Sequence, residues 1–415
     1  STVNPPTDHY NLFYTHNEVF FTTNHNAIRA AEKPLTGNPL IVQNYLEYAH
    51  IDQFSDLYNV IAVLCCDIPY NEYIEALNEL HPAVFSTVPE LKYNNQYDAM
   101  NALSQRLRTA YTGNQLLGRQ DRYSTKNCGE KLTAWIQPLG YVKHKKTVNY
   151  DRGYDAHEAG VMLGTDYRCG KHLLLGVAAG YTRDHSQWHY PLAPVDRSPD
   201  TIIHSGFFGA YGELYGKYWY LNGSVLGSHN NSIYRRRINF DSINRTASST
   251  HHDLSWSAHA EGGIHYPFTK YKISVEPMVW LDEFKASEKG FTETGADSLN
   301  MIVAGKDTSM HQACVGVHVF KDFTWRRFMF EPKITIGYIH DKPLNNTTYT
   351  ARYVDQTDVL TVYGTDLHHS LALIGADLRM GFKADRSYFA GIHYEAHIRN
   401  HYRSHHASLE IERTF

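Results

Sequence analysis

The stretch YFAGIHYEAHIRN, residues 388–400, puts Tyr388, Ala390, Ile392, Tyr394, Ala396 and Ile398 on one parity and Gly391, His393, Glu395, His397 and Arg399 on the other. A period of two with one apolar and one polar face is the pattern of a β-strand lying between two different environments. The run is also about twice as long as an ordinary strand. SWSAHAEGGIHY, residues 255–266, repeats it, with Trp256, Ala258, Ala260, Ile264 and Tyr266 opposite Ser255, Ser257, His259, Glu261 and His265. In RFMFEPKITIGY, residues 327–338, Phe328, Phe330, Pro332, Ile334, Ile336 and Tyr338 oppose Glu331, Lys333 and Thr335. A soluble sandwich would have to cover the greasy face, and nothing after residue 131 supplies helices to do so. A barrel in lipid leaves that face outside and turns the polar face into a wet lumen. The last residues, LEIERTF at 409–415, have the same alternation: Leu409, Ile411 and Phe415 against Glu410 and Glu412.

Working outward from these runs, twelve strands are expected, at 131–143, 154–168, 172–188, 202–215, 218–231, 254–268, 271–285, 307–322, 327–340, 367–383, 388–400 and 402–415. An even number suits a bacterial outer-membrane barrel. Tight turns (CGK, GK, TK, FTWR, ADR) alternate with long polar segments, among them SIYRRRINFDSINRTASSTHHD at 232–253 and the stretches 291–306 and 341–366. The alternation breaks only near His401, and it is what an up-and-down barrel with short periplasmic turns and long external loops produces.

Composition agrees. The 415 residues carry 39 basic and 43 acidic side chains, which gives no reason to expect nucleic acid as a partner. A negative mean hydropathy beside 31 Tyr and 28 Gly is low in grease and rich in interfacial aromatics. No stretch approaches the ~20 apolar residues a spanning helix needs. The opening STVNPPTDHY lacks the basic and apolar regions of a signal peptide, so the numbering is expected to start after processing or within a longer chain. Cysteines at 65, 66, 128, 169 and 314 have no zinc-ligand spacing and read as incidental thiols.

Upstream the character changes. NLFYTHNEVFFTT, residues 11–23, alternates over two short runs joined by THN, a hairpin signal. Residues 38–80 place apolar side chains at three- and four-residue steps in three successive runs, which predicts helices. In YDAMNALSQRLRTAY, residues 97–111, Met100, Leu103 and Leu107 share one helical stripe with Arg106 and Arg108 beside it.

GYDAHEAGVMLGTDYRCGKHLLLGVAAGYT, residues 153–182, resembles the second and third strands of the monomeric autotransporter β-domain family. EALNELHPAVFSTVPE at 75–90 resembles the helical segment before that domain, AWIQPLGYVKH at 134–144 its first strand, and Phe415 its last residue. The resemblance implies an all-β, twelve-stranded outer-membrane barrel that carries its own N-terminal passenger to the cell surface and keeps an α-helix in its pore. It divides the chain into the end of a passenger (1–34), a pre-barrel helical linker (35–93), a pore helix and connection (94–130) and the barrel (131–415). It also implies a monomer in outer-membrane lipid, assembled by the barrel-assembly machinery through a C-terminal signal of Leu409, Ile411 and Phe415. Arg413 departs from that signal, standing where the family usually has an aromatic or aliphatic residue.

The strand phasing turns His259, Glu261, Glu276, Glu331, Lys333, His393, Glu395, His397, Glu410 and Glu412 into the lumen. Residues 92–126 hold six basic side chains against two acidic ones, so a helix carrying Met100, Leu103, Arg106, Leu107 and Arg108 is expected to thread an acidic pore. Gly160, Gly164, Gly176, Ala178 and Gly180 are expected to make room for it. His393, Glu395 and His397, with Glu410 and Glu412 on the next strand, have the composition of a metal site. Their place in the lumen reads instead as a solvated charge network, with no metal and no cofactor. One branch of the family cuts itself between two pore asparagines; Asn94 and Asn95 stand some 36 residues before the first strand, and the pair reads as turn-forming. Triads, phosphate loops and nucleotide fingerprints are absent, so the expected function is a non-enzymatic translocator and anchor. The alternative is a stand-alone outer-membrane pore or adhesin that binds through its long external loops.

Overall fold

The structure, a computed structural model, describes residues 10–14, 19–23, 35–52, 54–65, 68–116, 132–148, 152–170, 172–189, 198–268, 270–271, 273–345, 348–365, 367, 369–382 and 387–415. The connection expected over the last part of 94–130 lies outside the described residues. Twelve long strands build the barrel. They are β1 Leu132–Lys145, β2 Tyr154–Cys169, β3 Leu173–Trp188, β4 Asp200–Tyr215, β5 Trp219–Phe240 and β6 Ile243–Ile264. Then come β7 Ile273–Glu288, β8 Lys306–Phe320, β9 Phe328–Pro343, β10 His369–Phe382, β11 Tyr388–Arg399 and β12 Tyr402–Thr414. Every neighbour in sequence is an antiparallel partner, and β12 pairs back onto β1, with Ile411 opposite Ile136. Closure leaves no unpaired edge, which is the condition for crossing a bilayer as strands.

Alternation decides which face each side chain takes. On β9, Ile334, Ile336 and Tyr338 are exposed on the outside while Glu331, Lys333 and Thr335 are buried inside. From Phe328 to Tyr338 the outward row has no charge. Ten residues at ~3.3 Å each, tilted by ~40°, give a band about 25 Å tall. The end where the connections are short, as between Cys169 and Leu173 with Gly170 at φ 69°, is the periplasmic end.

At the opposite, external end the expectation of a loop over 232–253 is corrected. β5 and β6 continue through it as one hairpin to a two-residue turn, Phe240 pairing with Ile243 and Asp241 taking φ 45°. The three consecutive arginines give a loop-like composition, yet the period of two persists beneath it. Tyr234, Arg236, Ile238 and Phe240 point to the buried side. They have something to be buried against. Helices α1 Asn38–Tyr48, α2 Asp56–Cys65 and α3 Tyr70–Glu79 lie over the external mouth, followed by a 3-10 turn at Pro82–Thr87. Segments expected as loops supply a small four-stranded sheet, Phe291–Thr292, Met301–Val303, Tyr349–Tyr353 and Leu360–Val362. Leu57, Val60, Leu77, Leu80 and Phe85 pack with Tyr234, Ile238, Leu299, Tyr353 and Leu360 in one apolar core. At about 1.5–3 kcal/mol for each large apolar side chain buried, this core binds the helices to the mouth as a cap.

Polar groups within the cap are matched. The Arg236 guanidinium donates to Glu293 (3.1 and 2.6 Å) and to the carbonyls of Glu79 (2.8 Å) and Leu299 (2.7 Å). A fork from Arg245 holds the Asp56 carboxyl down at about 2. Burial pushes the Glu79 carboxyl up to about 8, and drives the His81 imidazole down to about 3. Near the N-terminus Tyr10–Tyr14 pairs antiparallel with Val19–Thr23.

Candidate functional site: the occupied pore

From the cap the chain turns into the barrel as α4, Val88–Leu116, 29 residues and so about 43 Å long at 1.5 Å per residue. The helix begins earlier than residue 94, because the 3-10 turn that His81 caps by accepting from Ala83 N (3.1 Å) runs straight into it. It descends from the external mouth toward the periplasmic end, where β1 starts.

Along its described side chains α4 is buried nearly all round, although most of them are polar. Its apolar stripe, Met100, Leu103 and Leu107 with Ala99 and Ala102, packs on Trp135, Leu139, Met162, Phe207, Tyr211 and Leu226 of β1, β2, β4 and β5. The helix therefore leans on one wall of the lumen, and its polar sides face the acids and bases of the rest. Near the external end Lys92 Nζ sits between Asp253 (2.6 Å) and Glu288 (2.7 Å), and Glu90 lies against Lys145 (3.4 Å) and Lys143 (3.9 Å). Midway, Tyr97 Oη donates to Glu395 (2.5 Å), which also meets His397 (2.6 Å), and Asp98 meets His406 (2.5 Å). At the periplasmic end Arg106 makes a two-pronged bond to Asp166 (2.7 and 3.0 Å), a further bond to Glu412, and lies 3.8 Å from Glu410. Arg108 pairs with Glu261 at 3.1 Å.

Not every lumen residue predicted from phasing meets the helix. Glu276 is 3.5 Å from His265, and Lys333 is 3.1 Å from Asp377. Glu331 and His259 are buried in the wall, His259 bonded to Asp282 at 2.5 Å. His393 lies between Asp377 (2.8 Å) and Glu410 (3.4 Å). The expected solvated network is thus a buried one, because the helix occupies the space that would have held water. Asp166, Asp253, Glu288 and Arg379 belong to the same network and were not singled out from sequence, and Lys92 and Asp98 entered only as charges of the basic segment. Period-two phasing of β2, β6 and β7 would have turned the strand acids inward.

The glycines act one step removed from the expectation. A Cβ at Gly176 would lie 2.3 Å from the Tyr211 ring, so this glycine makes room for a tyrosine. Tyr211 Oη in turn accepts from Trp135 Nε1 (2.6 Å) and donates to Asp166 (3.1 Å), placing the carboxylate that Arg106 grips. Gly164 clears the Trp135 ring in the same way.

Asn94 and Asn95 lie within α4, not in a turn. Asn94 Nδ2 donates to Glu90 O at 2.6 Å, and the Asn95 amide, assigned so that its nitrogen faces the acceptors around it, donates to Leu91 O at 3.0 Å and to Glu158 at 2.6 Å. Each side-chain amide is thus held back along the helix. Two groupings have metal-ligand composition among the described residues: His144, Asp155 and His189 on the outer rim, and His251, Asp253 and Glu288 in the lumen. In the second, the Lys92 ammonium already stands between the carboxylates.

On the outside of the last strand Leu409, Ile411 and Phe415 are 42%, 49% and 53% exposed. The Arg413 guanidinium lies over the rings of Tyr388 and Phe415 at 5.2 and 4.6 Å, a flat packing that keeps this row continuous.

The family model described as autotransporter beta-domain matches residues 134–393. Outer membrane protein B of Rickettsia rickettsii is 24% identical over 68% of this chain, which spans 17% of that protein's length. Outer membrane protein A of the same organism is 22% identical over 61% of this chain, spanning 11% of its length. The translocator domain of the autotransporter NalP from Neisseria meningitidis superposes with a TM-score of 0.52 at 15% identity, over 77% of this chain and 99% of that one. The β-domain of the Bordetella autotransporter BrkA gives 0.50 at 11% identity, over 68% and 98%.

Proposed function

The chain belongs to the autotransporter β-domain family, and from that premise we propose that α4 is the trailing end of an exported polypeptide, held in the pore by which it left. The protein is an integral outer-membrane translocator and anchor for a passenger joined at its N-terminal side. The observation that carries the role of α4 is its path. It connects a cap on the external face with the periplasmic start of β1 by way of the lumen, so the polypeptide upstream of it is committed to the outside. The cap is what the long external segments pack against, which favours a sealed mouth over loops spread for adhesion.

The outward row of β12 is the face we assign to the barrel-assembly machinery, and a sheet closed through β12 and β1 supports our reading of the working unit as a monomer. No reacting group is required for any of these steps. The backbone of Asn94 and Asn95 in a continuous helix, with both amides bonded to i−4 carbonyls, favours a junction that stays intact. The test is an epitope placed before residue 35 behind a secretion signal. Protease added to whole cells should remove it while the barrel remains. An epitope that stays protected although the barrel is folded and heat-modifiable would refute export through this domain.

A further inference from the structure

Directly above the uncharged outer band, the barrel is ringed by imidazoles. His144, His157, His185, His204, His229 and His252 stand on β1 to β6, one per strand, all with partly or fully exposed outward side chains. Going round from β1 to β12, strand tilt raises the paired residue of each next strand by about one position toward the external end. With that correction the strand pairings bring these positions to one height or within a residue or two of it, and β8, β9 and β12 continue the ring with His311, His340 and His405. Below it the outward residues are mainly apolar or tyrosine, with Arg183 one outward position beneath His185. Tyr181 Oη meets His204 at 2.5 Å and Tyr394 Oη meets His405 at 2.7 Å, so the imidazoles rest on the interfacial aromatics. The ring therefore lies where the external leaflet changes from acyl chain to headgroup.

Two pairs carry the chemistry. The rings of His157 and His185 are edge to face at 5.1 Å, and those of His229 and His252 are stacked at 5.5 Å. Around the first pair stand Arg183, Arg235 and Asp200, the last already 2.9 Å from Arg235 and 3.8 Å from His185. Around the second, the outward register neighbours are Asn231, Thr250 and Leu254, with Lys285 of β7 beside Trp256. Elsewhere Asp155 is occupied by His144 (2.6 Å) and His189 (2.9 Å), and Arg403 stands opposite His144. Glu283, Asp307 and Lys342 complete the ionisable groups near this height on β7 to β9. Two imidazolium ions ~5 Å apart repel unless an anion lies between them. Among the described residues no carboxylate bonds to His229, His252 or His157.

We propose that this ring is a proton-dependent collar for phosphate-bearing lipid headgroups of the external leaflet. Imidazole ordinarily titrates near ~6.5. A bound phosphate favours the protonated ring and makes it hold its proton to higher pH, so the grip is complete in acid and is lost as pH rises and the phosphate-bound rings give up their protons. The test places the full chain in nanodiscs containing lipid A with both phosphates or lipid A stripped of them, and measures the midpoint of heat modifiability at pH 5.5 and 7.5. The phosphorylated discs should raise the midpoint by several degrees at pH 5.5 and much less at pH 7.5. The stripped discs should show no such difference, with or without added inorganic phosphate. The variant H157N/H185N/H229N/H252N should match the parent at pH 7.5 and lose the acid gain. Should the fourfold variant misfold, H157N/H185N and H229N/H252N separately should each lose part of it. An equal pH effect in both discs, rescue by free phosphate, or an unchanged gain in the variants would overturn the collar.

Discussion

Replacing Arg106 by Met removes the charge that three lumen carboxylates share. In the parent, Arg106 holds Asp166 with two bonds and Glu412 with a third, and Glu410 is 3.8 Å away. Arg379, which also bonds Glu412, remains for that side of the cluster, but among the described residues Asp166 keeps only the Tyr211 hydroxyl at 3.1 Å. Breaking a buried pair by deleting one partner costs roughly 3–5 kcal/mol, mostly as the penalty of the orphaned charge. At about 1.4 kcal/mol per tenfold, the equilibrium for α4 leaving the lumen should shift by two to three orders of magnitude. R106K keeps the charge but loses the fork, and should cost about 1–2 kcal/mol. R106M/D166N removes the orphan and should recover much of the loss. Planar-bilayer recording reads this directly: the parent should be nearly closed, R106M should open often, and the double variant should fall between. Deleting residues 1–116 sets the fully open level. If R106M gates like the parent while the deletion opens a large conductance, the ion pair does not hold the helix. If the deletion itself changes nothing, α4 is not the plug.

Glu79, with a folded value of about 8 against an ordinary 4.5, binds a proton in the cap that the unfolded chain releases. Its contribution is complete below pH 4.5 and is lost as pH rises through about 8, so hydrogen exchange of α1 to α3 should quicken at pH 8.5 relative to pH 6, and E79Q should abolish that difference. Gly176→Ala drives a methyl into the Tyr211 ring, 2.3 Å away, and should lower the heat-modifiability midpoint through ~1–3 kcal/mol of overpacking; an unchanged midpoint would mean Tyr211 does not position Asp166. L409D/I411D, or loss of Phe415, places charge in or shortens the outward row of β12 and should leave the chain unassembled in the periplasm, and normal surface display by either variant would remove that row as an assembly signal.

The barrel could be read from residues because its signal is local. Period two, strand length and the alternation of short with long connections each lie within a few tens of residues, and lipid requires that every outward position obey the pattern. The cap could not be read that way. Arg236 looks like part of a basic loop until Glu293, 57 positions on, and the Glu79 carbonyl, 157 back, are brought to it. The small sheet draws its strands from segments of two to five residues, too short to have a period. The pore network has the same difficulty. Lys92 and Asp253 are 161 positions apart, and the rotation of a helix within a lumen is not written in either sequence.

What was legible is the kind of helix this must be. An apolar segment would bury itself in any greasy surface, but a chain that travels a water-filled pore must stay soluble in transit and still find a single resting place. A polar helix with five charged side chains, Glu90, Lys92, Asp98, Arg106 and Arg108, each meeting its own partners on the wall, satisfies both demands. Water solvates those groups while the lumen is open. Once α4 is seated, each would lose that solvation if the helix moved by even one turn, because its wall partner is fixed in a strand. The narrow apolar stripe supplies adhesion to one wall, and the charges supply register along the pore. The same polarity that lets the segment travel a wet pore is therefore what gives it one position in the barrel.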